Sequence, residues 1–176
     1  WKAMVRGLVQ GREEARWRTS MTTKSSLEAY SRAKPLLRAE RFLGEGRCWV
    51  RRWVWLRAGA SCLEVVAGRR RGVPRERRVC GWCEGAVVED ERHFLDVCKR
   101  WRGVRRRMWE SLRLEDEEVV KEVAGWGSHA RVEWLLSGGS PKTRQLLVKL
   151  VGAWMAQREK VGCGRLGSGN WGEELS

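Results

Sequence analysis

The stretch "CGWCEGAVVEDERHFLDVC", residues 80–98, holds three of the chain's six cysteines and one of its two histidines. Cys80 and Cys83 form a C-x2-C pair, the spacing with which a tight turn aims two thiolates at one ion. His93 and Cys98 follow after a nine-residue spacer and are separated by four residues. Three sulfurs and one imidazole, with no position left for water, are the donor set of a structural tetrahedral zinc site. Between the pairs, "EDERHFLDVC" reads as a helical turn, acids first, with Phe94, Leu95 and Cys98 at core-facing offsets. That puts His93 on a short helix and Cys98 near or just past its end.

Two rival readings exist for these residues. One is a C-x2-C redox pair, but no βαβ pattern surrounds it. The other is a set of ordinary buried cysteines beside a surface histidine, which four such residues within 19 positions make a coincidence. Cys48, Cys62 and Cys163 are scattered and read as plain buried or tail thiols. The interval from Arg69 to Trp109 has few aliphatic residues, so a core there needs the ion. Structural zinc contributes about 10–16 kcal/mol to the folding of small modules. Here it would act as a staple.

Charge is segregated around the quoted stretch. Residues 69–78 carry six arginines (Arg69, Arg70, Arg71, Arg75, Arg77, Arg78) against one acid. Residues 99–107 carry Lys99, Arg100, Arg102, Arg105, Arg106 and Arg107 with no acid. The loop between the ligand pairs is acidic. An ion would fold the two basic arms toward each other and make one positive surface, suited to phosphate. Trp82, Trp101 and Trp109 offer faces for unpaired bases, with burial in a core as the competing use.

Outward from this module the pattern is helical. Residues 1–24 are basic and patternless apart from Trp17, and read as the continuation of an upstream domain. Residues 25–68 form a helical region. Ser25 and Glu28 have capping-box spacing, Pro35 ends the first helix, and Leu36, Leu37 and Leu43 belong to a second that stops at Gly44–Gly46. From Cys48, Trp49, Trp53, Leu56, Ala60 and Leu63 recur on one helical face, with Arg51, Arg52 and Arg57 off it. The zinc module with its flanks covers 69–112. In 113–161, "LEDEEVVKEVAGWG" places acids before Lys121 as a helix dipole prefers. Ser140 and Pro141 there mark a start for the stripe Leu146, Leu147, Leu150, Val151, Trp154. Residues 162–176 are Gly- and Ser-rich and read as a disordered tail. The expected fold class is mostly α: short helices around a zinc-stapled module, with no extended sheet.

The chain has 176 residues and a formal charge of +14, which makes polyanions the first partner class to consider. No apolar run is long enough to cross a bilayer, and no segment has the layout of a signal peptide. The expected setting is the reducing interior of a cell, where cysteines favour metal over disulfides. Trp1 in place of methionine reads as a fragment of a longer frame. The 12 tryptophans and 20 glycines, with many arginines, also fit G-rich codons, as in a weakly selected coding sequence.

The order "WRTSMTTKSSLEAY" (17–30), "RAGASCL" (57–63) and "RRVCGWCEGAVVEDERHFLDVCKRW" (77–101), followed by Arg105–Arg107, resembles the C-terminal region of non-LTR (LINE-type) retrotransposon polyproteins. The resemblance includes the reverse-transcriptase zinc-binding domain and spans roughly residues 17–112. That pattern has an arginine before C-x2-C, an acidic turn, an "HFL"-like segment and a last cysteine followed by an aromatic. Cys80, Cys83, His93 and Cys98 match its ligand positions, and Glu89, Asp90, Phe94 and Leu95 its flanking ones. The resemblance implies one structural zinc ion and a domain that helps a retroelement enzyme hold RNA or target DNA. Possible contact with the upstream reverse-transcriptase domain and a nuclear or nucleocytoplasmic setting follow from it too.

The chain departs from the parent in lacking polymerase, endonuclease and RNase H carboxylate constellations, so it is expected to be catalytically silent. No small-molecule substrate or membrane is expected. The alternatives are a zinc-stapled helical scaffold that contacts proteins, and a degenerate retroelement remnant without function. A RING-like ligase needs a second metal site, which His129, read as an exposed loop residue, and Cys163 cannot supply.

Overall fold

Trp53 and Leu56 on one helix meet Leu147, Val148, Val151, Trp154 and Met155 on another, and all seven are fully or almost fully buried. This pairing is the centre of a mostly helical protein. The computed structural model describes residues 1–24, 27–34, 37, 40 and 48–163. Among these, the α-helices are α1 (Lys2–Thr23), α2 (Glu28–Ala33), α3 (Cys48–Arg57), α4 (Glu64–Arg70), α5 (Arg102–Glu115), α6 (Glu117–Ala124), α7 (Ser128–Ser137) and α8 (Arg144–Cys163). The one extended pairing among the described residues is an isolated antiparallel bridge, Val79 to Val88. No helix among them is long and apolar enough to cross a membrane.

Helix α3 packs along α8, α2 along α7, and α5 touches both α6 and α8. The approach of α3 to α8 is close because Gly152 faces the backbone of Trp49; a Cβ there would collide with the Trp49 carbonyl. At the rim of this contact Arg52 pairs with Glu159 at 2.8 Å. A ring cluster joins α8 to the metal-ligand segment: Phe94 lies 4.6 Å from Trp154 and 5.8 Å from Trp101, centroid to centroid.

Several elements differ from the sequence expectation. Residues 1–24 are one continuous helix, α1, with no buried residue, steadied by local pairs such as Arg16–Glu13 and Arg18–Glu14. The single face expected from Cys48 to Leu63 is split. Gly59 adopts a left-handed φ of 59°, Ala60 N–H donates to Trp55 O, and Gly59 N–H donates to Leu56 O. This is a Schellman end for α3, so Leu63 reaches the core from the start of α4 and Ala60 is exposed.

Arg57, placed off the apolar face by pattern, is 1% exposed. It pairs with Glu40 at 3.0 Å and sits 4.3 Å over the Trp53 ring and 5.3 Å from that of Tyr30, which compensates its burial. The start marked by Ser140 is a capped turn before α8: Ser140 N–H donates to Thr143 Oγ1 and Thr143 N–H to Ser140 Oγ. His129 lies in the first turn of α7, exposed. The Ser25 cap, the Pro35 break, the leucine pair Leu36 and Leu43, and residues 164–176 of the expected tail lie outside the described residues, whereas Gly162 and Cys163, expected in the tail, continue α8.

Gly152→Ala tests the α3–α8 approach. Alanine would gain about 1 kcal/mol of helix propensity, but a backbone collision costs about 1–3 kcal/mol or more because neither helix can yield alone. Chemical denaturation should show a net loss of stability; an unchanged or raised midpoint would refute the close approach.

Candidate metal centre

The ligand pairs are held by two different local structures. The first is a hairpin-like turn: Cys80 N–H donates to Val87 O at 2.8 Å and Glu89 N–H to Arg78 O at 2.9 Å. Its reversal needs Ala86 at a positive φ of 45°, uncommon for a residue with a Cβ. The second is the turn that follows. Asp90 Oδ1 accepts the His93 N–H at 2.8 Å, and Asp90 O accepts that of Phe94, which caps a short helical segment.

Residues His93–Val97 then form a π turn, closed by the Cys98 N–H donating to His93 O at 2.7 Å. The π turn explains the x4 spacing. On an α-helix, side chains five positions apart point about 140° away from each other. An i to i+5 bond widens the turn by one residue and returns Cys98 to the side of His93.

The donor atoms of Cys80, Cys83, His93 and Cys98 all lie within 4.8 Å of one another. Cys80 Sγ and Cys98 Sγ are 3.9 Å apart, and Cys83 Sγ is 3.3 Å from His93 Nε2. A tetrahedron with metal–sulfur bonds of about 2.3 Å and a metal–nitrogen bond of about 2.0 Å has edges of about 3.8 Å (S–S) and about 3.5 Å (S–N). The two short separations lie close to these edges, and no pair of donor atoms is farther apart than 4.8 Å. The cluster could bind one metal ion, with His93 offering Nε2; Nδ1 is buried with no hydrogen-bond partner among the described residues.

Burial raises the thiol pKa values of Cys80 and Cys98, with Glu89 and Cys98 adding to it at Cys80 and Cys83 adding to it at Cys98. It lowers that of His93, although Glu89 and Asp90 oppose this. Crowded, desolvated thiols resist becoming thiolates unless a cation compensates them, which is what an ion at their centre would do.

The cluster is tied to the helical body through Glu89. Its carboxylate accepts from Arg158 Nε and from a second Arg158 nitrogen, both at 2.7 Å, and from the Glu64 N–H at 2.9 Å. Both partners are buried, 1% and 4% exposed by side chain. Trp82, inside the C-x2-C turn, covers the Arg158 guanidinium at 5.1 Å. On the opposite side Asp96 pairs with Arg131 of α7 at 2.7 Å. Burial would raise the Asp96 pKa, but the bonds from Arg131 and Ser128 outweigh it and hold it low. Arg158 was missed by sequence reasoning, yet a signal existed: Leu147, Val151, Trp154 and Arg158 step four, three and four along one face, so a cation sits in the apolar register.

The twelve basic residues expected to meet nucleic acid fall into two groups. Arg70, Arg77, Lys99, Arg100, Arg102, Arg106 and Arg107 are exposed, Arg106 with Glu110 at 3.7 Å. The others are engaged. Arg78 donates to the Val73 and Val65 carbonyls, Arg105 to the Cys98 carbonyl, Arg69 to that of Gly59 at 3.4 Å, Arg71 pairs with Glu64, and Arg75 faces Asp90 at 3.8 Å. Arg69, Arg71 and Arg75 keep an exposed surface while Arg78 and Arg105 are half-buried.

Of the tryptophans, Trp101 is buried and Trp109 stacks on Trp134 at 5.9 Å, so packing claims most of both. Among the remaining thiols Cys48 is exposed, and burial pushes half-buried Cys62 up to about 11. The side chain of Cys163 lies outside the described residues.

No protein-family model, curated protein or solved structure matches this chain.

Elemental analysis of purified protein should find one equivalent of metal, and Cys83→Ser should lose it together with several kcal/mol of stability, on the order of the module's metal-dependent folding energy. An unchanged melt for the variant would refute the centre. The pH dependence has opposite signs with and without the ion. Raised thiol pKa values mean that the stripped fold favours protonated cysteines, so it loses stability as pH rises past about 8.5. The loaded protein needs thiolates, so it loses metal as pH falls. The lowered His93 pKa keeps the imidazole available to below the ordinary histidine range.

Arg158→Met alone should cost about 3–5 kcal/mol by stranding the Glu89 charge, and Glu89→Gln added to it should recover part of that. Simple additivity in a double-mutant cycle would show that the pair is not coupled.

Proposed function

We propose that this chain is a zinc-stapled, nucleic-acid-binding segment from the C-terminal region of a non-LTR retrotransposon reverse transcriptase. On this reading it assists the parent enzyme in holding RNA or target DNA and is not itself catalytic. The observation that carries it is the convergence of the donor atoms of Cys80, Cys83, His93 and Cys98 within 4.8 Å of one another, residues whose order and spacing resemble that family's ligands. Zinc is the favoured ion because three thiolates and one imidazole form a closed, soft donor set with no preference for redox chemistry. Exposed cations on both sides of the cluster supply the charge that phosphate contact requires. Contact with an upstream polymerase domain and a nuclear or nucleocytoplasmic setting belong to the same reading.

A second reading, a zinc-stapled scaffold that contacts protein, draws on the fate of the tryptophans. Trp101 is buried and Trp109 is partly covered by Trp134, which removes the first as an open stacking platform and narrows the second.

Filter binding of RNA and DNA by the zinc-loaded protein across a salt series separates the two. Nucleic-acid binding should weaken steeply, with a slope of about 0.7–0.9 per phosphate contacted. Arg106→Ala with Arg107→Ala should lower affinity while the melt stays unchanged, since both side chains are exposed. Absence of measurable binding by folded, loaded protein would leave only the scaffold.

A further inference from the structure

The two basic arms end in two different clefts, one on each side of the 90–97 segment. Arg69, Arg75 and Arg78 line the first, of about 610 Å³. The second, of about 930 Å³, runs along α5 and is closed by α6 and by Val97. No residue lines both.

The clefts differ in what their charges already do. In the first, the arginines of the arm bond to carbonyls or face Asp90, Arg32 pairs with Glu133, and Glu91 adds another acid. In the second, Lys99, Arg102 and Arg113 are exposed and have no ion-pair partner among the described residues. Of its two acids, Asp96 is already neutralised by Arg131, and Glu110 faces Arg106 at 3.7 Å. Between these cations the floor is apolar: Val97, 46% exposed in an otherwise inward-facing turn, with exposed Ala124 and the part of Trp109 that packing leaves uncovered, over buried Val120.

We infer that this groove seats unpaired bases of a single-stranded nucleic acid, with the phosphates on Lys99, Arg102 and Arg113. The inference rests on the nucleic-acid-binding reading and narrows it to one strand form and one face. Cations alone would serve any polyanion. An apolar floor between them gains only when a flat, weakly hydrated group covers it, and a duplex keeps its base faces stacked inside. A single strand can turn a base onto the floor while its backbone follows the cationic wall.

The test uses the full, metal-loaded chain and fluorescence anisotropy with a short labelled oligonucleotide. The single strand should bind about tenfold tighter than its duplex or an abasic strand of equal length, the equivalent of one stacked base. Ala124→Glu, a change at an exposed floor position, should remove most of that preference. Arg102→Glu with Arg113→Glu should lower single-strand affinity at least about tenfold and flatten its salt dependence. Lys142→Glu with Lys149→Glu, the same charge change at exposed sites away from the groove, should have a far smaller effect. Circular dichroism and metal content check that each variant is folded.

Three results would overturn the groove while leaving nucleic-acid binding intact. They are equal affinity for the abasic strand, a larger loss from Arg69→Glu with Arg70→Glu than from the groove pair, and displacement of the strand by polyglutamate as readily as by unlabelled strand. Absence of any nucleic-acid binding would overturn the parent reading and the groove with it.

Discussion

Four donor atoms within 4.8 Å of one another set the shape of everything between Arg78 and Arg105. Three of them are sulfurs, and they lie in two close pairs, Cys80 Sγ with Cys98 Sγ at 3.9 Å and Cys83 Sγ with His93 Nε2 at 3.3 Å. Their crowding makes sense as the edges of a tetrahedron. The hairpin-like turn with its left-handed Ala86 holds Cys80 and Cys83, the Asp90 cap holds His93, and the π turn returns Cys98. The segment has little aliphatic mass of its own, so the cluster takes the place of a local core.

That cluster is not an isolated bead on the chain. Glu89 bonds to Arg158 of α8 and to the Glu64 N–H, while Trp82 lies over the guanidinium. A buried ion pair of this kind adds little net stability against an apolar pair of the same shape, but it is intolerant of any other partner. Its effect is orientational: it fixes how the ligand turn sits on the α3–α8 body. Phe94, Trp101 and Trp154 fill the remaining contact with rings.

The ligand set, the helical class and the α8 stripe were legible because each leaves a short-range pattern: Cys and His spacing, few β-branched runs, and a 3.6-residue period. What escaped was decided at longer range or by backbone geometry. Gly59 cuts a regular apolar face because a left-handed residue ends α3. Arg57 goes inside because Glu40, Trp53 and Tyr30 compensate it, partners that no periodicity reveals. The arms 69–78 and 99–107 look alike in charge, yet Arg78 and Arg105 are bound to carbonyls, a use that composition cannot distinguish from solvent exposure. Residues 2–23 form α1 although Met4, Leu8 and Val9 stand exposed on it, with local ion pairs lending each turn a little support.

The Glu89–Arg158 pair also sets the longer of two loop closures. Cys80 and Cys98 are 18 positions apart, whereas Glu89 and Arg158 are separated by 69. Closing the shorter loop costs less chain entropy, so the ligand turn is the cheaper of the two closures. The hairpin and π turn present Glu89 and Trp82 as one side of a socket, and α8 supplies the arginine that fills it across the longer loop.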